Sequence, residues 1–209
     1  MAVTIEWLGH ATFRITAAKV VAYIDPWKIA EAVHDARLIL VSHSHYDHYS
    51  AEDIDRLLNP RTELVGPPDV ISQRGAGWAL SPAQTLDLDR ACVTGVRAYN
   101  PAKNFHPKEN DWLGFVIELG GKRLYYAGDT DLIPEMSVLG EIDLALVPVG
   151  GTYTMDAPEA ADACRQIRPA CAVPYHWGDI VGTEADAQRF AETAPCDVTV
   201  LRPGQSLTL

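Results

Sequence analysis

Ser42-His43-Ser44-His45-Tyr46-Asp47-His48 follows directly on residues 37–41, an apolar run with the length of a buried strand. Three imidazoles and a carboxylate fall within residues 43–48. Residues two apart in extended chain point the same way, so His43 and His45 can share one metal ion. Asp47 and His48 follow after a bend and can address a second ion beside it. Such a density of ligand groups is costly unless something cationic binds them. Imidazole nitrogen with carboxylate oxygen suits zinc, manganese or iron better than calcium.

Two later strand ends carry matching groups. Tyr125-Tyr126-Ala127-Gly128-Asp129-Thr130 places a carboxylate just past an apolar run, and Val173-Pro174-Tyr175-His176 places an imidazole there. An aspartate after a strand is usually a turn residue or a helix cap. The order of all three segments together is far more specific than any one of them.

Around these segments the hydrophobic pattern predicts strands at 3–8, 12–16, 20–24, 37–41 and 63–65, with one or two more within 85–99. It predicts a hairpin of 113–119 and 123–127 about Gly120-Gly121, and further strands at 143–147, 171–174 and 197–201. Helices are expected at 51–58 (capped by Ser50 and closed by Pro60), 69–74 (ended by Gly75), 157–167 (capped by Asp156, with Pro158 in its first turn) and 184–193. Strands first, then strands alternating with helices, occur once in each half. That order suits an α/β architecture of two stacked sheets with helices on both outer faces, a four-layer αββα sandwich. No linker or low-complexity tract divides residues 1–209, so a single domain is expected.

Bulk properties narrow the partners. The 209 residues, 47% hydrophobic and 22% charged, can bury one substantial core. A net charge of −11 argues against nucleic acid as a partner. No run approaches the ~20 apolar residues of a membrane span. The opening stretch lacks the basic and apolar blocks of a signal peptide, which points to the cytoplasm. Cys92, Cys164, Cys171 and Cys196 lack zinc-knuckle or redox spacing and are expected to be buried, reduced thiols.

The series His43, His45, Asp47, His48, then Asp129 in Gly-Asp-Thr, then His176 resembles the metallo-β-lactamase superfamily over nearly the whole chain. Trp7-Leu8-Gly9-His10-Ala11, Asp25-Pro26 and His176-Trp177-Gly178 resemble the branch that includes ascorbate-phosphate lactonase and N-acylphosphatidylethanolamine-hydrolysing phospholipase D. The resemblance implies that His43 and His45 bind one metal, that Asp47, His48 and His176 bind a second, and that Asp129 bridges them. It implies one or two divalent transition-metal ions (zinc, or manganese or iron) and a hydroxide that attacks a small-molecule ester, lactone or phosphodiester. Asp47 and Asp129 are then the catalytic carboxylates, with Asp47 or a metal-bound water the proton donor to the leaving group. His45 stands where flavodiiron oxidoreductases carry glutamate, which favours hydrolysis over redox chemistry.

The pattern departs from the family at one ligand. Alignment on Asn110-x-Trp112 puts Asn100 where a further metal-one histidine is usual, while His106 lies six residues on. Either can complete that site. Asn100 also keeps open a metal-binding protein with weak or lost catalysis, and a nuclease is the third reading, opposed by the charge. His10 is a candidate for the pocket wall or an ordinary core residue. Asp25 is expected to orient a metal-bound histidine. Lys103 and Lys108 are expected on a loop over the site, meeting an anionic substrate group or simply solvent. Tyr153 and Trp177 shape the pocket or merely pack. A small-molecule substrate is the expected partner, and oligomeric state, homo-oligomer included, is open.

Overall fold

Val3, Ile5 and Trp7 are buried while Thr4, Glu6 and Leu8 are half covered, the period of two that seats one face of a strand on a core. The computed structural model describes residues 2–17 and 19–209. Its elements in chain order are β1 (Val3–Gly9), β2 (Thr12–Ala17), β3 (Val20–Ile24), β4 (Leu38–Leu40), α1 (Ala51–Leu57), β5 (Glu63–Gly66), α2 (Pro68–Arg74) and β6 (Trp78–Ala79). There follow β7 (Thr85–Leu88), β8 (Ala91–Arg97), β9 (Leu113–Leu119), β10 (Lys122–Tyr126), β11 (Leu144–Pro148), α3 (Ala157–Ile167), β12 (Cys171–Tyr175), α4 (Glu184–Thr193), β13 (Asp197–Val198) and β14 (Ser206–Thr208).

The strands form two seven-stranded sheets, ordered β14-β1-β2-β3-β4-β5-β6 and β13-β12-β11-β10-β9-β8-β7. In the first sheet β14, β1, β2 and β3 pair antiparallel, and β3 to β6 pair parallel. The second repeats this scheme: β7 to β10 are antiparallel and β10 to β13 parallel. Parallel neighbours need a crossover. Helices α1 and α2 supply crossovers in one half, α3 and α4 in the other. The main apolar cluster joins both sheets, from Ile5, Phe13 and Ile15 to Phe115, Leu146 and Tyr175, and reaches Ala160 and Phe190 of α3 and α4. A smaller cluster seats Ile54 and Leu57 of α1 and Val70 of α2 on Tyr23, Ile39 and Leu64. The expected αββα sandwich is the observed one.

The helix signals worked locally. Ser50 accepts from the backbone N–H of Asp53, Asp156 from that of Glu159, and Gly75 ends α2 with φ 74°. Two expectations need correction, and two strands have no sequence signal. The strand at 197–201 is only Asp197–Val198, because the chain leaves the sheet edge and returns as β14 against β1. The two short edge strands β6 and β14 have too few apolar residues to show a period. Of the four cysteines, all free thiols, only Cys164 is buried, and the others are half covered. Among the described residues no helix is long and apolar enough to cross a membrane.

Strands β1, β3 and β4 run the same way, as do β8, β10 and β12, so in each sheet their C-terminal ends share one edge. Backbone hydrogen bonds from Leu113 to Ser42 and from His176 to His10 hold the two edges together. Gly128 turns the chain from β10 into that edge with φ 70°, and a Cβ there would lie 2.5 Å from the Leu113 carbonyl oxygen. A left-handed L-residue alone costs about 1–2 kcal/mol, and the overlap adds to it. Gly128→Ala should therefore lower the thermal midpoint by about 4 °C or more, on roughly 2–4 °C per kcal/mol at this size. Thermal denaturation followed by circular dichroism checks it; an unchanged midpoint would show that the turn tolerates a side chain.

Candidate metal centre

At the end of β3 the chain turns through Asp25, which is fully buried with φ 43°. Its Oδ1 accepts from the Ser42 backbone N–H at 2.6 Å. Its Oδ2 accepts from Ser42 Oγ at 2.5 Å, from the Tyr126 hydroxyl at 2.6 Å and from His48 Nδ1 at 2.7 Å. Donating through Nδ1 leaves His48 Nε2 bare and directed away from Asp25. Ser42 Oγ, having given its proton to Asp25, accepts from His43 Nδ1 at 2.8 Å. His43 Nε2 is then an acceptor, 3.0 Å from His45 Nδ1. Burial and the Asp25 charge push the Tyr126 hydroxyl well above its ordinary pKa, so it remains a donor. Ser42 and Tyr126 carry no sequence signal of this role beyond standing beside a ligand cluster and before an aspartate.

The bare nitrogens meet at Asp129. His48 Nε2 lies 3.3 Å from Asp129 Oδ1, while His176 Nε2 and His106 Nε2 lie 3.2 and 3.4 Å from Oδ2. These three nitrogens and Asp129 Oδ1 are buried without a hydrogen-bond partner. Unpaired buried polar groups are expensive, and four at one spot require an explanation. Ligands about 2.0–2.1 Å from a tetrahedral ion stand about 3.3–3.4 Å apart. The spacing here is that of groups aimed at a common cation, so the residues fit the metals that the sequence implies. Three groupings have their ligand atoms within 4.8 Å of one another: His43, His45 and His106; His10, Asp47, His48 and His176; and Asp25, His43 and His48. Asp129 touches a histidine of each.

Asn100 does not face this centre. Its Oδ1 accepts from the backbone N–H and from Nδ1 of His106, at 3.1 and 2.8 Å, and its Nδ2 donates to the Tyr153 carbonyl. It is His106 that stands with His43 and His45, its Nε2 bared by the bond behind it. The pair looked like competitors in sequence because the five intervening residues hide that one backs the other. Trp112 closes this side, its ring 4.9, 4.8 and 5.7 Å from those of His43, His45 and His106, with its indole N–H on Asp69.

The other expected site residues divide. His10 Nε2 donates to Asp47 Oδ2 at 3.0 Å, and its ring lies 4.2 Å from that of His176. A cavity of about 220 Å3 opens over the centre, lined by His45, Tyr46, Asp47, Phe105, His106, Asp129, Tyr153, His176 and Ile180. Tyr153 is thus at the pocket. Trp177 is not: it packs on Trp7 at 4.8 Å and donates to the Pro174 carbonyl. Neither lysine reaches it either. Lys103 Nζ binds Asp131 and the carbonyls of Gly151 and Thr154, clasping three loops together. Lys108 Nζ sits over the Tyr99 ring and pairs with Glu135.

Charge coupling is strong. Burial opposes a charge on His48, but Asp129 and Asp25 outweigh it and hold its pKa well above the ordinary value. Burial alone would raise Asp129, yet His176 and His48 hold it well below the carboxylate range. Burial, with the charge on His48, depresses His43, and burial takes His106 down to about 4, so both offer neutral nitrogens. Before a metal binds, this raised pKa means that a proton competes with an ion for His48 Nε2. Metal affinity should rise with pH, by up to about tenfold per unit while His48 is protonated, and level off above its pKa. Zinc titrations against a competing chelator at several pH values check this. Asn100→Ala should weaken one metal by about 10–100-fold, and His106→Ala should lose it; the same titrations read both.

Comparison with known proteins agrees with this geometry. A family model described as a β-lactamase superfamily domain matches residues 4–176. A UPF0173 metal-dependent hydrolase of Symbiobacterium thermophilum is 35% identical, with 98% of this chain and 99% of that protein covered. One from Nitratidesulfovibrio vulgaris is 32% identical over 100% and 96%. Among solved structures, a metallo hydrolase of Ignicoccus hospitalis superposes with a TM-score of 0.83 at 25% identity, covering 100% of this chain and 99% of that one. With a four-layer sandwich and a histidine–aspartate centre already in place, these matches settle the family: the chain belongs to the metallo-β-lactamase superfamily, among its UPF0173 metal-dependent hydrolases.

Proposed function

We propose that this protein hydrolyses a small-molecule ester, lactone or phosphodiester at a two-metal centre, acting as one domain in the cytoplasm. The observation that carries it is the convergence of unpartnered His48, His106 and His176 Nε2 atoms on Asp129. His43, His45 and His106 would hold one ion; Asp47, His48 and His176 the other; Asp129 would contact both. Zinc fits the nitrogen-rich set best, with manganese or iron as alternatives. Bound there, the ions would supply Lewis acidity at the scissile carbonyl or phosphoryl oxygen and would acidify water.

The protein's own groups then divide the work. Asp25 and Asn100 hold the rings of His48 and His106, so each presents Nε2 and keeps its orientation through the reaction. His10, whose pKa burial depresses, is neutral and donates its Nε2 proton to Asp47 Oδ2. Burial would raise Asp47, but the His10 bond outweighs it and keeps that carboxylate ionised. Asp47 Oδ1 is thereby left to take a proton at the pocket and return it to the leaving oxygen. Trp112 and the buried tyrosines beneath exclude bulk water from the metal-facing side. A net charge of −11 opposes the nuclease reading.

Purified protein never exposed to chelator should carry one or two transition-metal ions by elemental analysis. It should hydrolyse at least one member of a panel of esters, lactones and bis(p-nitrophenyl) phosphate. Asp129→Ala should reduce kcat by at least about 100-fold, more than Asn100→Ala does, since it removes a ligand rather than its support. A protein that binds no metal, or is inert on the whole panel with metal restored, would overturn the proposal.

A further inference from the structure

Six large apolar side chains are exposed among the described residues: Val33, Tyr46, Trp78, Phe105, Val138 and Ile180. Three of the six, Tyr46 (69% exposed), Phe105 (44%) and Ile180 (46%), line the mouth of the cavity over the metal centre. Tyr153 completes the ring, standing edge-on to Phe105 at 4.7 Å. Ile180 is held there with φ 62°, a conformation that β-branched residues strongly resist. Apolar surface concentrated in this way around a catalytic centre marks a place where apolar ligand surface is taken up.

The charges around the mouth point the same way. Lys28 pairs with Asp179 at 2.5 Å, Lys103 with Asp131 at 2.6 Å, and Lys108 with Glu135 at 3.5 Å. Among the described residues no lysine or arginine lines the cavity. Apart from the metal-facing residues, its walls are Tyr46, Phe105, Tyr153 and Ile180. A substrate bearing a further charged group away from the scissile bond, such as a free carboxylate, would need a cation that this mouth does not provide, on a protein of net charge −11. The cavity, about 220 Å3, is also smaller than the ~300–1,000 Å3 pockets that take drug-sized ligands.

We propose that the substrate is an uncharged ester or lactone with a compact aromatic or branched apolar group, which Phe105, Tyr153, Tyr46 and Ile180 grip. This deepens the hydrolase reading and rests on it. The reaction adds the oxygen of water to the acyl carbon and breaks the acyl C–O bond. One proton of water goes to the leaving alcohol and the other to solvent, leaving a carboxylate.

The test compares ethyl acetate, ethyl phenylacetate, monoethyl succinate and bis(p-nitrophenyl) phosphate, with the metal-loaded protein. Ethyl phenylacetate should exceed ethyl acetate in kcat/KM by about tenfold or more, the discrimination a hydrophobic pocket makes on added apolar groups, and should exceed both anions. Phe105→Ala should reduce the phenylacetate-to-acetate ratio by about fivefold, with Phe105→Leu recovering much of it. Tyr46→Lys should raise the rate on monoethyl succinate relative to ethyl phenylacetate, because it supplies the missing cation. A preference for either anion, or equal rates on the two neutral esters, overturns the substrate class while leaving the hydrolase standing. Inertness on all four leaves the decision to binding of phenylacetamide, followed by saturation-transfer NMR. Ring signals that weaken in Phe105→Ala support the apolar grip, and signals unchanged by that substitution overturn it.

Discussion

One buried carboxylate, that of Asp25, joins the two sheets at the edge where the ligands gather. It accepts from Ser42 at the end of β4, from His48 on the ligand loop, and from Tyr126 at the end of β10 in the opposite sheet. An ionised carboxylate without partners in such a place would be prohibitively costly. Charge-assisted hydrogen bonds from four donor groups offset that cost. None of the donors is near Asp25 in sequence, so the arrangement exists only once both sheets are stacked. The orientation of His48, and through Ser42 that of His43, is therefore a property of the tertiary fold. Tyr126 extends the arrangement: it stacks on Tyr175 at 5.0 Å, and the Tyr175 hydroxyl donates to the carbonyl of Gly128, next to Asp129.

The repeated sheet scheme explains why the ligands arrive at one place. Each half delivers parallel strand ends to the shared edge, and connections leave those ends as loops free of ladder hydrogen bonds. The first half contributes His10, Asp25 and the 42–48 loop; the second contributes Asn100, His106, Asp129 and His176. His10, Asp25 and His176 have φ of 48°, 43° and 62°. Left-handed backbone at non-glycine residues costs free energy, and its occurrence at three of the residues that make the centre fits the general concentration of strain at functional sites. The large core beneath is what holds them there.

Much of the fold was legible because it rests on long, strongly periodic segments. Leu113–Leu119 with its Gly120-Gly121 turn, and helices Ala157–Ile167 and Glu184–Thr193, carry their patterns and caps within themselves. The strands Trp78–Ala79 and Ser206–Thr208 exist only because a neighbouring edge accepts them, and nothing local announces that. The ligand cluster at 42–48 was legible because residue type and spacing alone limit what it can do. The partners that set the tautomers were not. Ser42 and Tyr126 act through hydrogen bonds to a residue 17 and 101 positions away. Lys103 and Lys108 misled for the same reason: a sequence shows charge, but not that Asp131 and Glu135 have already taken it.

The two halves of the centre differ in how their histidines are supported. His48 leans on a buried carboxylate, which raises the basicity of the imidazole it holds. His106 leans on the amide of Asn100, which fixes the ring but adds no charge. A neutral support suits the place, since Asp129 already puts one negative charge between the two halves, and a further buried carboxylate behind His106 would have to be neutralised there. The amide gains something else, because its Nδ2 is free to donate to the Tyr153 carbonyl. Asn100 thus ties the ring of His106 to the backbone of the loop whose side chain, Tyr153, stands edge-on to Phe105 at the mouth. Ligand geometry and pocket wall are fixed by one side chain.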